Sequence, residues 1–208
     1  MYRYTRPVRL QGVAFRVVSH PRVNRLQTAI LGRHKLEARL RPVAERSTNG
    51  ETSGTVVDIG GGTARSRAMW PASWTYYSID PDDRVLAVDE QEAPIERIVG
   101  DAARLPLHDA VADVVLMQCV SHHLDAETWQ RSLVEAERIL KPDGSFIFLD
   151  GVWSKRRWVS RWFWRLDAGR FPRESVALED ALRARFSIVE TERFALVHDS
   201  ILVTARHT

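Results

Sequence analysis

Three consecutive glycines, Gly60, Gly61 and Gly62, follow directly after an apolar run that contains Asp58. Glycine has no Cβ and reaches positive φ at little cost, so backbone can turn sharply there and come close to a ligand. A helix that begins after such a turn presents unpaired N–H groups in its first turn. The stretch Val56–Arg65 therefore predicts a buried strand, a tight turn, the start of a helix and a ligand at the turn.

Strand-like and helix-like segments alternate on both sides of this turn. The predicted strands are Thr55–Ile59, Thr75–Ile79, Ile95–Val99, Asp113–Gln118 and Ser145–Leu149, followed by two β-rich runs, Phe186–Glu192 and Ser200–Ala205. The predicted helices are 22–46, Ala64–Met69, Asp82–Asp89 and Ala126–Leu140, with a turn over Leu140–Gly144. This order predicts an α/β fold, a doubly wound, Rossmann-like, seven-stranded sheet that is mainly parallel and ends antiparallel.

The charge of this 208-residue chain is unevenly distributed, although its net value is only +3. Residues 1–46 contain 11 Lys/Arg and 2 Asp/Glu, residues 47–152 contain 8 and 18, and residues 153–173 contain 7 and 1. One cysteine, Cys119, excludes an internal disulfide. The basic N-terminal segment lacks the apolar stretch of a signal peptide, and no run reaches the ~18 apolar residues of a membrane span. We therefore expect a soluble, cytoplasmic protein.

The residues around the glycines indicate which ligand the turn binds. A dinucleotide fingerprint needs a glycine where Arg65 stands, and a P-loop needs a Gly-Lys-Ser/Thr sequence that is absent. Asp58 would repel a polyphosphate. Asp80 ends the second strand about 20 residues past the glycines, where a carboxylate accepts from ribose hydroxyls. Asp101 ends the third strand and can accept from a purine amine. Together these residues predict a cationic nucleoside without phosphate.

Four stretches in this order resemble class I S-adenosylmethionine-dependent methyltransferases: VVDIGGGTAR, YYSIDPDDRVL, GDAARLPLHDAVADVVLMQCVSHHLD and RILKPDGSFIFLD. The chain looks most similar to small-molecule methyltransferases such as those of quinone biosynthesis. The resemblance implies S-adenosylmethionine as cofactor, and a cofactor site formed by Asp58, Gly60, Gly61, Gly62, Asp80, Pro81, Asp101, Ala102 and Gln118. In it, the glycine turn meets the methionine part, Asp80 the ribose, and Asp101 with Ala102 the adenine. The chain departs from the family at Ala64, where a third spaced glycine is usual.

Two histidines, His122 and His123, follow the fourth strand and are the candidate catalytic residues. Histidine titrates near neutral pH, so either side chain could deprotonate a hydroxyl acceptor. The alternative is that one of them packs against the next helix or caps it. Adjacent histidines point in different directions and match no common zinc motif, so no metal site is predicted. Cys119 is interpreted as a small buried residue.

A Trp/Arg-rich segment after the fifth strand, residues 151–175, is interpreted as a lid over the acceptor. On a helix, Trp158 and Trp162 would lie one turn apart, and Arg161 would belong to a neighbouring cationic stripe. Trp153 is the fourth lid residue. The alternatives are peripheral contact with a membrane surface, or a helix that packs on the domain.

The predicted organisation is one methyltransferase domain over residues 1–208. It comprises an N-terminal basic, helical cap (1–46), a cofactor-binding core (54–150), the lid (151–175) and a C-terminal helix with antiparallel strands (176–208). The predicted function is methyl transfer to an oxygen or carbon of a small aromatic or lipid-like molecule. RNA methylation is the second hypothesis, since basic residues alternate with aromatic ones, but the acidic middle segment disfavours it. A catalytically silent S-adenosylmethionine-binding protein is the third. The acceptor and the oligomeric state are left undefined.

Overall fold

The structure is a computed structural model that describes residues 33–87, 93–154, 160, 164, 169–196 and 198–207. The chain divides into two units, Met1–Ala38 and Arg39–Thr208. All strands of the described residues belong to the second unit. The scheme of cap, core, lid and C-terminal part within one domain stays a prediction.

The strands confirm the predicted order. They are β1 (Thr55–Ile59), β2 (Thr75–Asp80), β3 (Glu96–Val99), β4 (Ala112–Gln118), β5 (Leu140–Val152), β6 (Phe186–Ala195) and β7 (Asp199–His207). In the described part of the chain they form a seven-stranded sheet of order β3-β2-β1-β4-β5-β7-β6. Strands β1 to β5 pair in parallel, and β7 runs antiparallel to both β5 and β6. This is the predicted doubly wound, Rossmann-like α/β fold, parallel except for its C-terminal pair.

The helices with described bounds are α1 (Arg33–Ser47), α2 (Asp83–Leu86), α3 (Ala126–Ile139) and α4 (Ser175–Arg183), and two 3₁₀ helices span Arg65–Met69 and Ser121–His123. The predicted helix 22–46 is described only from Arg33 onward. Helix α3 begins where the Asp125 carboxylate accepts a hydrogen bond from the Thr128 N–H, at 2.8 Å. That carboxylate satisfies one of the unpaired N–H groups of the first turn.

Two local predictions differ from the structure. The segment predicted as helix Ala64–Met69 forms a 3₁₀ helix, since Ala64 takes a left-handed conformation before it and Pro71 closely follows its end. The segment predicted as a turn, Leu140–Gly144, belongs to β5. Leu140 pairs with Ala112 immediately after α3, and the turn-forming residues are absorbed by a register shift before Val114 pairs with Ser145.

One face of the sheet carries the main apolar core. Inward side chains of β1 and β4, such as Val57 and Met117, alternate with residues of the opposite face, as the period of two in a strand requires. Helix α3 covers this core, with the Trp129 ring 5.5 Å from that of Phe148. The core thus fixes the strands whose carboxyl ends form the candidate site.

Among the described residues, no helix is both long and apolar enough to cross a membrane.

Candidate active site

The site lies where the strand order reverses, between β1 and β4. The connection that follows β1 leads to β2 on one side, and the connection that follows β4 leads to β5 on the other side. Because the two connections diverge, a crevice opens at the carboxyl ends of β1 and β4. The glycine turn follows β1 at this edge, and the 3₁₀ helix Ser121–His123 follows β4. Asp80 ends β2 at the same edge. Side chains that are distant in the sequence are therefore brought together here.

The glycine turn is held against β2 by backbone hydrogen bonds. The N–H groups of Gly60 and Gly61 both donate to the carbonyl of Ile79, at 2.7 and 3.3 Å. A Cβ at Gly60 would overlap the side chain of Val120, and a Cβ at Gly61 would lie 2.5 Å from Ser78 Oγ. Gly60 and Gly61 are therefore required by the packing of the protein itself.

Gly62 differs from the two glycines before it. Its φ is +54°, and the nearest atom to a Cβ placed there is Asp80 Oδ2 at 3.9 Å. Its N–H donates to the same Asp80 oxygen at 3.2 Å, while Asp80 Oδ1 accepts from the Asp82 N–H at 2.9 Å. Partial burial raises the pKa of Asp80, against the effect of these two donors. Open space beside Gly62 and a half-buried carboxylate thus adjoin each other.

Asp58 lies beneath the turn rather than on its open side. Its side chain is 2% exposed, and its carboxylate accepts a 2.5 Å hydrogen bond from the Tyr76 hydroxyl. Burial raises the pKa of Asp58 to about 7, although the Tyr76 hydrogen bond opposes the shift. Asp58 is therefore a support of the turn whose charge depends on pH near neutrality.

Arg67 is a further buried polar residue next to Tyr76. It is 1% exposed, and the Arg67 guanidinium carbon lies 5.8 Å from the centre of the Tyr76 ring. Its N–H groups donate at 3.0 to 3.4 Å to five backbone carbonyls, those of Trp70, Pro71, Ala72, Trp74 and Pro94. The guanidinium thereby ties the loop between β1 and β2 to the segment that enters β3. This role was not predicted from the sequence.

The remaining predicted cofactor residues lie at the same edge. Asp101 is exposed, and its carboxylate accepts from the Ala103 N–H at 2.9 Å; Ala102, between them, is half-buried. Pro81 is exposed directly after β2. The side-chain oxygen of Gln118 accepts a hydrogen bond from the Ser66 hydroxyl, at 2.9 Å. Gln118 thus links the end of β4 to the 3₁₀ helix behind the glycine turn.

His122 and His123 have different surroundings. His122 is 6% exposed, and its Nδ1 lies 2.7 Å from Asp150 Oδ1, near the end of β5. His123 is exposed, with its ring centre 4.2 Å from that of His122. The structure thus pairs the predicted catalytic candidate His122 with a buried carboxylate.

Comparison with known proteins agrees with the fold and with the position of the candidate site. Residues 57–148 match the protein family described as a methyltransferase domain. These residues thus form a methyltransferase domain. S-adenosylmethionine is the cofactor that this domain indicates. No curated protein matches the sequence. The general resemblance is thus confirmed, whereas the similarity to quinone-biosynthesis enzymes is not specifically shown.

Solved structures share the fold of the methyltransferase domain. A putative methyltransferase from Bacillus halodurans is 15% identical, with a TM-score of 0.66 over 82% of this chain and 97% of its own. A S-adenosylmethionine-dependent methyltransferase from Methanosarcina mazei is 18% identical, with a TM-score of 0.64 over 76% and 93%. The 1,6-didemethyltoxoflavin-N1-methyltransferase of Burkholderia thailandensis, solved with S-adenosylhomocysteine, is 18% identical, with a TM-score of 0.62 over 98% and 92%.

The lid predicted over the methyltransferase site is described only in part. Trp158, Arg161 and Trp162 lie outside the described residues. Trp153 is half-buried, and its N–H donates to the Arg173 carbonyl at 2.7 Å. Trp164, which was not named as a lid residue, is buried, with its ring centre 5.3 Å from that of His122. Trp164 is therefore an aromatic side chain of this segment that lies beside a candidate catalytic residue.

The interpretation of Cys119 as buried is wrong. Cys119 is exposed and has a φ of +57°, at the point where β4 ends and the chain turns into the 3₁₀ helix. Its N–H donates to the Leu149 carbonyl at 2.8 Å. Since the left-handed conformation redirects the chain after β4, the apolar pattern of that strand does not extend to Cys119.

Sequence reasoning missed Asp150. This carboxylate lies two residues before the end of β5, whereas Asp80 is the last residue of β2, and the same signal of an acidic residue near a strand end could have found it. Its partner His122 is 28 residues away in the chain. Nothing in their spacing predicts the contact, because it depends on the pairing of β4 with β5.

Proposed function

We propose that this chain transfers a methyl group from S-adenosylmethionine to an oxygen or carbon of a small aromatic or lipid-like molecule. The observation that carries the proposal is the pairing of Gly62 with Asp80, beside open space at the switch point of the sheet. That arrangement suits a ligand whose hydroxyls can bond to the carboxylate while its body lies against backbone that bears no side chain.

The residues present fit the cofactor. A half-buried carboxylate at Asp80 can accept from both ribose hydroxyls, and the exposed carboxylate of Asp101 can accept from the adenine amine, with Ala102 beside the ring. Gly60, Gly61 and Gly62 bring backbone to the methionine part, with Asp58 beneath them. Gln118, at the end of β4, and Pro81, directly after β2, are the other residues of the proposed cofactor site.

The bound cofactor supplies a methyl group on a positively charged sulfur, which is already activated for displacement. The protein then has to hold the acceptor in line with the methyl group and keep water away. Such positioning is worth up to roughly 10 kcal/mol of the barrier. A proton acceptor is needed only if the attacking atom must lose a proton.

A small molecule is proposed as the acceptor for two reasons. The Burkholderia structure that shares this fold belongs to an enzyme named for a small-molecule acceptor. In addition, residues 47–152, which contain the predicted cofactor site, carry 18 acidic and 8 basic residues, a balance that disfavours a polyanion near the methyl group.

Calorimetric titration with S-adenosylmethionine and S-adenosylhomocysteine tests the cofactor assignment. Wild-type protein should bind both, and Asp80→Ala should weaken binding about 10- to 100-fold, since a hydrogen bond to a charged group is worth about 1.5–3 kcal/mol. Asp143→Ala, at an exposed position of β5, is the matched control and should bind as wild type does. Folded protein that binds neither ligand at millimolar concentration would contradict the proposal.

The acceptor class is tested with S-adenosylmethionine that carries a labelled methyl group. We expect label in a metabolite extract and none in total RNA. Label in RNA would support the second hypothesis, and cofactor binding without transfer to either fraction would support the third, a catalytically silent protein.

A further inference from the structure

His122 and Asp150 belong to one buried hydrogen-bond network at the carboxyl ends of β4 and β5. Asp150 Oδ1 lies 2.7 Å from His122 Nδ1 and accepts from the Gly151 N–H at 2.7 Å. Its other oxygen, Oδ2, accepts from the N–H and the hydroxyl of Ser121, at 2.8 and 2.6 Å. The Asp150 side chain is thus fully engaged by donors and fixed in position.

These donors determine the protonation of the pair. Burial acts to raise the pKa of Asp150, but the charge of His122, together with hydrogen bonds from His122, Ser121 and the Gly151 N–H, outweighs it and holds that pKa below its usual value. An ionised carboxylate is an acceptor only. His122 Nδ1 must therefore carry a proton and donate it to Asp150, which makes Nε2 the basic nitrogen of the neutral ring.

A second cation balances the charge of Asp150. The Arg173 guanidinium donates to the carbonyls of Ser121 and Leu124, and its charge interacts with that of Asp150. Arg173 thus places a second positive charge near the buried anion. Within the described ranges, the titratable groups around His122 include the exposed His123 and, across the Trp164 ring, His198.

The network adjoins the proposed cofactor site. Val120, two residues before His122, contacts Gly60 of the glycine turn so closely that a Cβ there would overlap it. Trp164 lies edge-on to His122, and its buried indole N–H has no hydrogen-bond partner in the part of the chain that the structure describes. An unsatisfied buried donor on a ring that contacts His122 is suited to an oxygen atom of a ligand.

From this geometry we propose that Asp150 is a positioning residue that orients His122 to take a proton from a hydroxyl group, so that the acceptor is a phenol or alcohol and methylation occurs at oxygen. The inference rests on the proposed function and narrows it. The hydroxyl oxygen forms a bond to the methyl carbon as the carbon–sulfur bond breaks, and the bonding electrons stay on sulfur. The hydroxyl proton passes to His122 Nε2 and then to solvent. The Trp164 N–H donates to an oxygen of the acceptor.

The first test needs no acceptor. Long-range ¹H–¹⁵N NMR of the wild-type protein reads which nitrogen of each histidine bears the proton. We expect His122 to titrate to a neutral ring that is protonated on Nδ1. The proposal is overturned if the neutral ring carries its proton on Nε2, or if His122 stays charged over the whole pH range in which the protein is folded.

The second test uses variants with matched controls. His122→Gln should lower kcat about 10²- to 10⁴-fold, the usual contribution of a general base, and should abolish the rise of rate with pH. Asp150→Asn should lower kcat at least about tenfold and change the tautomer of His122. His108→Gln and Asp143→Asn, both exposed, are the controls. Ser121→Ala keeps both members of the pair and should have a smaller effect than Asp150→Asn.

The product identifies the methylated atom. With ¹³C-methyl S-adenosylmethionine and a metabolite extract, methyl carbons bonded to oxygen, nitrogen and carbon resonate in separate regions. An O-methyl signal that is lost in His122→Gln supports the inference, whereas an N- or C-methyl product overturns it. S-adenosylhomocysteine affinity distinguishes the two proposals: if wild type does not bind it, the proposed function fails, and if His122→Gln binds it and transfers methyl at the wild-type rate, only this inference fails.

Discussion

Tyr76 donates its hydroxyl hydrogen to the Asp58 carboxylate, 2.5 Å away, directly beneath the Gly60–Gly62 turn. The two side chains come from neighbouring parallel strands, β1 and β2, and both are buried. A carboxylate withdrawn from water with one neutral donor is a costly arrangement. The glycine turn therefore rests on a group that gains a proton readily.

The first prediction concerns pH. Because burial raises the pKa of Asp58 from 3.8 to about 7, the folded state binds more protons than the unfolded state between these values. The stabilisation that this group provides is therefore fully present below about pH 4 and is lost as the pH rises to about 7. At about 1.4 kcal/mol per pKa unit, the free energy of unfolding falls by up to about 4 kcal/mol over this range. Asp58→Asn should lack this dependence.

Urea denaturation at a series of pH values measures the effect. The stability of Asp58→Asn relative to wild type should increase from pH 4 to pH 7, whereas that of the exposed control Asp143→Asn should stay constant. A constant difference for Asp58→Asn would show that Asp58 titrates alike in both states.

The second prediction separates two adjacent glycines. Gly61→Ala should lower stability by about 2–3 kcal/mol, since its methyl group would lie 2.5 Å from Ser78 Oγ and 2.8 Å from Asp58 Oδ2. Adding Ser78→Ala should restore part of that loss. Gly62→Ala should cost only about 1–2 kcal/mol for its positive φ, but it should weaken S-adenosylhomocysteine binding because its methyl group faces the open side beside Asp80. Denaturation and calorimetry on the same variants report the two effects; the assignment fails if Gly62→Ala binds as tightly as wild type.

The third prediction explains the departure at Ala64. This alanine has a φ of 57° and is fully buried. Ala64→Gly relieves about 1–2 kcal/mol of left-handed strain but loses about 0.8 kcal/mol of buried methyl and about 0.5–1 kcal/mol to glycine entropy. We therefore expect stability within about 1 kcal/mol of wild type and unchanged cofactor affinity. Ala64→Val should cost about 3 kcal/mol, since a branched side chain fits neither the space nor the backbone. Equal stability of the valine variant would contradict this account.

The fourth prediction concerns Arg67. Arg67→Lys keeps the charge but has three donors for five carbonyls, and it lacks the planar fork that reaches them. We expect a loss of about 2–4 kcal/mol, from about 1 kcal/mol for each net hydrogen bond and the buried carbonyls left unpaired. Arg131→Lys, an exposed position in α3 that faces Glu127 at 3.7 Å, should change stability by less than about 0.5 kcal/mol. Similar losses for the two variants in urea denaturation would refute the role of Arg67.

The sequence predicted the fold better than it predicted the contacts within the candidate site. The strand Thr55–Ile59 was predicted with its observed bounds, because a short apolar run before three glycines has few other structures open to it. The segment Leu140–Gly144 was predicted less well, since its turn-forming residues are accommodated as an irregularity within β5. Local preference decides the existence of an element, whereas pairing with a neighbouring strand decides its bounds.

The sequence by itself determined the α/β alternation, the glycine turn and the carboxylates that end successive strands, because these are properties of short segments. Only the tertiary structure decided which side of the turn each group occupies: Asp58 lies beneath it on Tyr76, and Asp80 lies on the open side. It also joined His122 to Asp150. Such contacts depend on strand register and on the free energy of burying charge, which are fixed only when distant segments pack together.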